Sequence, residues 1–298
     1  MSMLVLSKHE VHELLDYDGC IAAMDEALRS LARGEVHQPL RPLVRPPGAS
    51  SILGLMPVYR GGGRPLYALK TVAVVPDNPT RGLDPHQGTV SLFDGVTGRT
   101  LAVMNASPIT AIRTAACSAV ATRALAREDA RDLAIVGAGH QAHAHLSALP
   151  RVRQFERIRI ASRNPEHART LAAEVGAEAV ESAEEAVRGA DVVVTATNAA
   201  EPVLRREWLK AGAHVNAVGS CFPTARELDT ATVAGSAFFT DRRESCEAEA
   251  GDYVIALAEG AIAAGHIRAE LGEVLLGQHP GRQSAEEITV FESLGLAV

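Results

Sequence analysis

The sequence predicts an α/β fold that contains a Rossmann dinucleotide-binding domain, and three observations support this prediction. Residues 133–136 form a short apolar run with β-branched side chains, which is typical of a buried parallel strand. The run leads directly into Gly137-Ala-Gly-His-Gln-Ala142, which has the G-x-G-x-x-A form of the dinucleotide fingerprint. Further candidate strands then alternate with helical patterns, as in a doubly wound parallel sheet.

The glycine-rich segment suits a bound pyrophosphate. Gly137 permits a tight turn after the strand, and Gly139 lets the backbone approach the phosphates closely. Ala142 is small enough for the following helix, predicted over residues 142–149, to pack on the strand. The N-terminus of that helix offers free N–H groups and a partial positive charge to phosphate oxygens.

Later segments continue the same alternation. Asn164 suits an N-cap and Pro165 the first position of a helix, so a helix is predicted over residues 165–175. The other predicted elements are strands over residues 158–161, 190–197, 214–219 and 237–240, and helices over residues 183–188, 247–263 and 270–276.

The first hundred residues have a different pattern. Residues 8–34 carry apolar side chains at mostly three- and four-residue steps, which predicts an amphipathic helix with a break near residues 17–19. A proline-rich extended edge follows, and Asp94-Gly-Val-Thr-Gly98 is a strong hairpin signal. The predicted antiparallel strands cover residues 51–56, 67–75, 89–94 and 100–104.

An alanine-rich helix over residues 109–126 connects these two parts of the chain. We therefore predict an α/β protein with two domains. Residues 109–290 form the Rossmann domain. Residues 1–108, joined by the C-terminal segment 291–298, form an α+β domain that binds substrate.

Composition excludes several classes of protein. The 298 residues carry a formal net charge of −7 with no basic block, and only 4% are aromatic, which argues against a nucleic-acid partner. The four cysteines lie far apart without a C-x-x-C pair, so we expect reduced thiols rather than disulfides or a zinc site. Neither a signal peptide nor a long apolar span is evident, and we expect a soluble, cytoplasmic protein.

The residues after the second Rossmann strand indicate which nicotinamide cofactor is bound. NAD-binding units carry an acidic residue there for the ribose hydroxyl, whereas residues 160–164 contain no acid. Arg163 can pair with the 2′-phosphate of NADP in bidentate fashion, and its alternative is a solvated surface arginine. We predict NADP(H) as the preferred cofactor, with NAD(H) as the alternative.

Histidines near the glycine-rich segment and an aspartate near the C-terminal end are two further candidates for sites. His140, His143 and His145 do not share one helix face and have no carboxylate at ligand spacing, so no metal is predicted. Asp252 either orders the substrate cleft or caps a helix, and capping is favoured.

Six motifs occur in this order along the chain: Leu53-Gly-Leu-Met-Pro, Leu69-Lys-Thr, Ile109-Thr-Ala-Ile-Arg-Thr-Ala-Ala116, Gly137-Ala-Gly-His-Gln-Ala142, Asn216-Ala-Val-Gly219 and Glu249-Ala-Gly-Asp252. Because of these motifs, the chain resembles the ornithine cyclodeaminase/mu-crystallin family from about residue 10 to residue 298. The I-T-x-x-R-T-A-A element is specific to that family. Further segments resemble its mu-crystallin/ketimine reductase (pyrroline-2-carboxylate reductase) branch: Gln38-Pro-Leu-Arg41, His86-Gln87, Glu227-Leu-Asp229 and Thr289-Val-Phe-Glu-Ser-Leu-Gly295.

This resemblance implies a homodimer built through the N-terminal domain and an active site in the cleft between the domains. It implies that Arg41 and Arg113 grip a substrate carboxylate, with Arg45 as a competitor for the role of Arg41. Lys70 would lie against the carboxylate or the imine nitrogen and serve as a proton donor. His86 is expected in a loop at the site, where it either lines the substrate pocket or lies outside it.

Two departures from the family disfavour cyclodeamination. Cyclodeaminases resemble E-L-M-P where this chain has Gly54, and they carry an aspartate where it has Cys221. The deaminating mechanism needs carboxylates at these positions. Hydride transfer needs no nucleophile, so we interpret Cys221 as a wall of the substrate pocket.

We therefore predict an NAD(P)-dependent oxidoreductase that reduces a cyclic ketimine-2-carboxylate to the cyclic L-amino acid. The alternatives are an alanine dehydrogenase-like enzyme, an ornithine cyclodeaminase, and a non-enzymatic NADPH-dependent binding protein, which would not need Lys70 and Arg113 together. The predicted substrate-binding residues are Arg41, Lys70, His86, Arg113 and Cys221, of which Lys70 and Arg113 are catalytic. The predicted cofactor-binding residues are Thr114, Gly137, Gly139, His140, Gln141, Ser162, Arg163, Asn164, Thr195, Ala196, Thr197, Val218, Gly219 and Ser220.

Overall fold

A computed structural model describes residues 3–297, apart from the side chain of Pro79. Two β-sheets form its framework, and one long helix contacts both of them. Within residues 3–297, no helix combines the length and the apolar character needed to cross a membrane.

The first sheet is mostly antiparallel and has the strand order β1-β7-β6-β5-β4-β2, with β3 paired to β4. Two helices, α1 (Lys8–Leu14) and α2 (Tyr17–Ala32), precede most of it. Its strands are β1 (Leu4–Leu6), β2 (Val36–His37), β3 (Leu43–Val44), β4 (Ile52–Arg60), β5 (Leu66–Val74), β6 (His86–Asp94) and β7 (Thr100–Asn105).

The second sheet is entirely parallel and has the order β10-β9-β8-β11-β12-β15-β13-β14. Its strands are β8 (Asp132–Val136), β9 (Arg157–Ala161), β10 (Glu178–Ala179), β11 (Val192–Thr195), β12 (His214–Ala217), β13 (Ala237–Thr240), β14 (Ile267–Glu270) and β15 (Thr289–Glu292). The helices around it are α4 (His140–Ala148), α5 (Pro165–Val175), α6 (Ala183–Val187), α7 (Thr230–Ala234), α8 (Arg243–Glu249), α9 (Gly251–Ala258) and α10 (Leu271–Leu275).

Helix α3 (Ala106–Leu125) joins the sheets. It contacts β5 and β6 of the first sheet and β12 and β15 of the second. Its alanine-rich middle is fully buried, because small side chains let the helix lie close to neighbours on every side. Thr110 in its second turn contacts both Lys70 of β5 and Gln141 of α4.

Most predicted elements of the second sheet are confirmed. The strand at 237–240 and the helix at 165–175 have the predicted bounds, and the side chain of Asn164 caps that helix by accepting a hydrogen bond from the Glu166 N–H. The predicted hairpin at residues 94–98 joins β6 to β7. The break in the N-terminal helix falls at residues 15–16, where the Asp16 side chain caps α2.

The predicted helix over residues 247–263 is wrong. Helix α8 ends at Glu249, Ala250 is extended, and α9 begins at Gly251 and ends at Ala258. A Cβ on Gly251 would lie 1.9 Å from the Ala225 carbonyl oxygen, so the chain changes direction where it packs against that loop. Strands β1, β2, β10, β14 and β15 had not been predicted, although β15 lies inside the second sheet between β12 and β13.

Candidate active site

The carboxyl end of β8 forms a cradle for a dinucleotide. Gly137 has φ +123°, and a Cβ there would lie 2.4 Å from the Ala196 carbonyl oxygen, so only glycine fits this turn. A Cβ on Gly139 would meet open space, so nothing obstructs a ligand above this backbone. Helix α4 begins at the exposed His140, and no side chain in residues 3–297 caps it. These residues fit a pyrophosphate at the helix N-terminus.

The residues predicted to hold the adenosine half of the cofactor follow β9. Ser162 is partly buried, whereas Arg163 and Asn164 are exposed. The Asn164 side chain is already engaged as the cap of α5. The Arg163 guanidinium is thus the charged group that this strand end presents to solvent.

The other predicted cofactor residues follow two neighbouring strands. Thr195, Ala196 and Thr197 lie at the end of β11, which pairs with both β8 and β12. Val218, Gly219 and Ser220 follow β12. Because all these strands are parallel, their carboxyl ends form one continuous edge, where ligands of open α/β sheets bind.

Lys70 lies at the centre of the second group of site residues. It is on β5, directly between Met56 of β4 and Val90 of β6, and its side chain is buried. Its Nζ donates a hydrogen bond to the Thr110 hydroxyl of α3 at 3.3 Å. Burial, together with the positive charges of Arg113 and Arg41, lowers the pKa of Lys70 to about 7.

Arg113 lies one turn after Thr110 on α3. Burial lowers the pKa of Arg113, and the nearby groups that favour its charge include Asp241. Asp241 follows β13, and burial raises the pKa of its carboxyl to about 6 while Arg113 and Arg41 oppose that rise. Asp241 was not predicted as a site residue, since no local pattern connects it with Arg113.

Arg41, rather than Arg45, lies in this cluster. Its Nε and Nη2 contact Oε2 of Glu249 at 2.8 and 2.6 Å. The guanidinium of Arg45 lies over the Phe222 ring instead, 5.9 Å from its centroid. The E-A-G-D motif contains Glu249 but does not indicate its partner, and the structure shows that Glu249 orients Arg41.

Cys221 faces the same basic cluster. Its Sγ lies 3.6 Å from the Val218 carbonyl oxygen. Burial raises the pKa of the Cys221 thiol, although Arg41 and Arg113 oppose that rise. Raising the thiol pKa disfavours the nucleophilic thiolate, which agrees with a role as pocket wall.

His86 begins β6 on the sheet face that carries Lys70. Its backbone N–H donates to Oδ1 of Asp84 at 2.8 Å, and its Nδ1 lies 3.9 Å from the same oxygen. Asp84 also accepts a hydrogen bond from the Ser107 hydroxyl at the start of α3. Asp84, which had not been predicted, thus ties the His86 segment to the helix that carries Arg113.

Thr110 connects the two groups of site residues. Its carbonyl accepts a hydrogen bond from the Thr114 hydroxyl at 2.7 Å, and the Gln141 amide lies 3.5 Å from the same oxygen. Its hydroxyl accepts the bond from Lys70. The glycine-rich loop and the basic cluster therefore meet at one turn of α3.

The three histidines of α4 do not converge. His145 is fully buried and bonds to the Gln141 carbonyl and the Ser118 hydroxyl. His143 lies 3.6 Å from Glu174, while His140 is exposed at the helix start. Among residues 3–297, no group of three or more His, Cys, Asp or Glu side chains is arranged to hold a metal.

The prediction that Asp252 caps a helix is wrong. Asp252 lies inside the first turn of α9, after Ala250 in the capping position. Its buried carboxylate accepts hydrogen bonds from the N–H groups of Glu227 and Leu228, at 2.9 and 2.8 Å. The Asp252 side chain therefore contacts residues that are distant in sequence instead of capping its own helix.

Comparisons with known proteins agree with this geometry. The chain is 38% identical over 283 residues to ketimine reductase mu-crystallin from Macropus fuliginosus, covering 93% of this chain and 87% of that protein. It is 37% identical over 303 residues to Delta(1)-pyrroline-2-carboxylate reductase from Bacillus cereus, covering 99% and 93%. A solved structure of Delta(1)-pyrroline-2-carboxylate reductase from Thermococcus litoralis, in complex with NADH and L-proline, has a TM-score of 0.95 at 38% identity, covering 99% of this chain and 93% of that one.

The fold and these similarities define the class of the protein as an NAD(P)-dependent oxidoreductase that acts on imines. The chain belongs to the ornithine cyclodeaminase/mu-crystallin family, whose sequence model matches residues 1–298. The predicted family, fold class and enzyme class are thereby confirmed.

Proposed function

We propose that this protein reduces a cyclic ketimine-2-carboxylate, pyrroline-2-carboxylate or piperideine-2-carboxylate, to the cyclic L-amino acid with NADPH. The observation that carries this proposal is the placement of buried Lys70 beside Arg41 and Arg113. Three cationic side chains in one cleft suit a small anionic substrate. Lys70 differs from the two arginines because its lowered pKa lets it give up a proton near neutral pH.

The two guanidinium groups are assigned to the substrate carboxylate. A guanidinium fork matches two carboxylate oxygens, and its charge persists at all ordinary pH values. Arg41 is held in place by Glu249, and Arg113 by the rigid helix α3. Fixing the carboxylate in this way fixes the adjacent imine carbon, which lowers the entropic cost of the reaction.

Lys70 is assigned to the imine nitrogen. A bound nicotinamide supplies the hydride that adds to the imine carbon. The C=N double bond then becomes a single bond, and its electron pair on nitrogen takes a proton. The protonated amine of Lys70 delivers that proton and is left neutral, a state that its burial favours. His86 and Cys221 are assigned to the pocket wall.

Arg163 supports the preference for NADPH. It lies at the end of β9, where a carboxylate would repel a 2′-phosphate and a guanidinium attracts one. NAD(H) remains the alternative cofactor, since the glycine-rich cradle is common to both. The remaining contacts are assigned to the residues predicted from the sequence along β8, β11 and β12.

The absence of two carboxylates supports reduction over cyclodeamination. Gly54 lies on β4, two positions from Met56 and therefore on the sheet face of Lys70. Cys221 lies near the arginines. Neither residue supplies the carboxylate that a deaminating mechanism requires.

We also propose a homodimer formed through the N-terminal domain, residues 1–108, with the Rossmann domain over residues 109–290. The first sheet exposes apolar side chains that a partner would cover, including Val5 (62% exposed) and Tyr67 (50%). Sedimentation analysis should give twice the chain mass of 31.4 kDa, and the mass of a single chain would contradict the dimer.

The proposed reaction is tested by following NADPH oxidation by absorbance with pyrroline-2-carboxylate and piperideine-2-carboxylate. Turnover with either imine is expected, and the faster one identifies the ring size. Pyruvate with ammonia tests the alanine dehydrogenase-like alternative, and ammonia release from ornithine tests the cyclodeaminase alternative. Tight NADPH binding without turnover of any substrate would favour a binding protein and overturn the proposal.

A further inference from the structure

The buried side chain of Glu227 joins the carboxyl ends of strands β11 and β12, and we call this arrangement the Glu227 clamp. Glu227 is fully buried and lies between β12 and α7. Its Oε1 accepts hydrogen bonds from the Thr197 N–H and the Thr197 hydroxyl, both at 2.6 Å. Its Oε2 accepts them from the Gly219 N–H at 2.7 Å and the Thr195 hydroxyl at 2.9 Å. Each carboxylate oxygen therefore receives one backbone N–H and one hydroxyl.

This pattern suits an ionised carboxylate. A backbone N–H can only donate, so both oxygens of Glu227 act as acceptors, and a proton on either oxygen would have to reverse the bond to a threonine hydroxyl. Burial raises the pKa of Glu227, and the four donors oppose that rise. All four donors are neutral groups, so the negative charge is not cancelled by a contacting cation.

The clamp is rigid on both sides. A Cβ on Gly219 would lie 2.1 Å from the Thr197 carbonyl oxygen and 2.6 Å from Oε1 of Glu227, so the two strand ends close tightly on the carboxylate. The backbone of Glu227 is also held, because its N–H donates a hydrogen bond to Asp252 at 2.9 Å. The ends of β11 and β12 are therefore held in one arrangement by a single anion.

The position of the clamp indicates which half of the cofactor it faces. The glycine-rich cradle follows β8, and Arg163 follows β9 on one side of it. Strands β11 and β12, which carry Thr197 and Gly219, lie on the other side of β8. If the adenosine half lies over β9, the nicotinamide half extends over β11 and β12.

We propose that Glu227 is a positioning residue that orders the nicotinamide-binding segments and whose buried charge favours the oxidised cofactor. This proposal rests on the proposed cofactor site. The nicotinamide ring is neutral in NADPH and carries a positive charge in NADP⁺. A fixed negative charge in a poorly solvated region stabilises the cation more than the neutral ring. The clamp thus favours loss of the hydride, which is the direction of imine reduction.

Cofactor binding tests this proposal without any imine substrate. The dissociation constants of NADPH and NADP⁺ are measured by calorimetry for the wild type, Glu227→Gln and Glu227→Asp. Glutamine keeps the shape but loses the charge and one acceptor for a backbone N–H. Aspartate keeps the charge but is too short to reach all four donors. Glu259→Gln serves as the control, since Glu259 is an exposed carboxylate paired with Arg226.

Both Glu227 variants should bind the two cofactors about tenfold more weakly, as expected for lost hydrogen bonds to a charged group. Only Glu227→Gln should change the ratio of the two dissociation constants. It should weaken the binding of NADP⁺ about threefold or more beyond the weakening of NADPH binding. Thermal melting checks that each variant is folded. If Glu227→Gln does not fold, Thr195→Val keeps the anion with one donor fewer and should weaken both cofactors at an unchanged ratio.

Wild-type affinities in Glu227→Gln, or equal weakening of NADPH and NADP⁺, would overturn the proposal. Wild-type affinities in Thr195→Val would overturn it where Glu227→Gln does not fold. Failure of the wild type to bind either cofactor would overturn both this proposal and the proposed function. Normal cofactor binding without turnover of either imine would contradict only the proposed function.

Discussion

Gly295 packs directly against the guanidinium of Arg113. A Cβ on Gly295 would lie 2.8 Å from Nη2 and 3.0 Å from Nη1 of that side chain. The Gly295 N–H donates to Oδ2 of Asp241 at 2.7 Å, which holds the turn after β15 in place. The turn after β15 thus packs against the Arg113 guanidinium, which the proposed reaction needs.

This contact predicts the effect of Gly295→Ala. Gly295 and Gly277 both have positive φ, at +94° and +73°, so alanine strains either backbone by about 1–2 kcal/mol. Nothing lies within 4 Å of a Cβ on Gly277, whereas one on Gly295 displaces Arg113. Gly295→Ala should raise KM for the imine markedly, and Gly277→Ala should leave it near the wild-type value. Equal KM values in the two variants would show that the Arg113 position does not matter.

The guanidinium of Arg113 is expected to bind the substrate carboxylate directly. Arg113→Ala should lower kcat/KM by about a hundredfold, because a charged, bidentate contact with the substrate carboxylate is lost. Arg45→Ala is the matched control, since Arg45 lies over Phe222 outside the basic cluster. Steady-state kinetics of both variants give the comparison. Wild-type kinetics in Arg113→Ala would exclude this residue from the site.

The pH dependence of kcat/KM should report Lys70. If the protonated amine is required, kcat/KM falls as the pH rises above about 7, approaching tenfold per pH unit. Lys70→Arg keeps a permanent charge, but its guanidinium does not readily donate a proton. Its activity should therefore be low, and the alkaline limb, which is the fall in kcat/KM above about pH 7, should disappear. A limb that persists unchanged in Lys70→Arg would assign the titration to the substrate imine or to another group.

Cofactor preference should depend on Arg163. Arg163→Asp is expected to weaken NADPH far more than NADH, because aspartate repels the 2′-phosphate and can accept a bond from the free ribose hydroxyl. Arg169→Asp is the charge-matched control, since Arg169 is an exposed residue of α5 that pairs with Glu166. Binding of both cofactors is measured for each variant. An unchanged preference in Arg163→Asp would remove the basis for choosing NADP.

The second sheet was largely predictable because its signals are local. A buried parallel strand is an apolar run, and the caps and glycines at its ends mark where helices begin. The break at Gly251 was missed because its cause is the Ala225 carbonyl, which is remote in sequence. Strand β1 was missed because it is a short, exposed edge of three residues without an alternating pattern.

The cationic half of the candidate site was also predictable, whereas its carboxylates were not. Lys70 and Arg113 fall within motifs that resemble the family, so their positions stood out. Asp84, Asp241 and Glu249 act through contacts with partners far away in the chain, such as Ser107, Gly295 and Arg41. Only the fold brings such pairs together, and no spacing rule reveals them.

Transfer of deuterium tests the proposed reaction most directly. NADPH dideuterated at C4 of the nicotinamide is incubated with the enzyme and pyrroline-2-carboxylate, and the product is analysed by mass spectrometry and chiral chromatography. Imine reduction by hydride transfer predicts L-proline with a single deuterium at Cα. Proline free of deuterium would contradict the proposed function, and so would the absence of both proline from this imine and pipecolate from its six-membered counterpart.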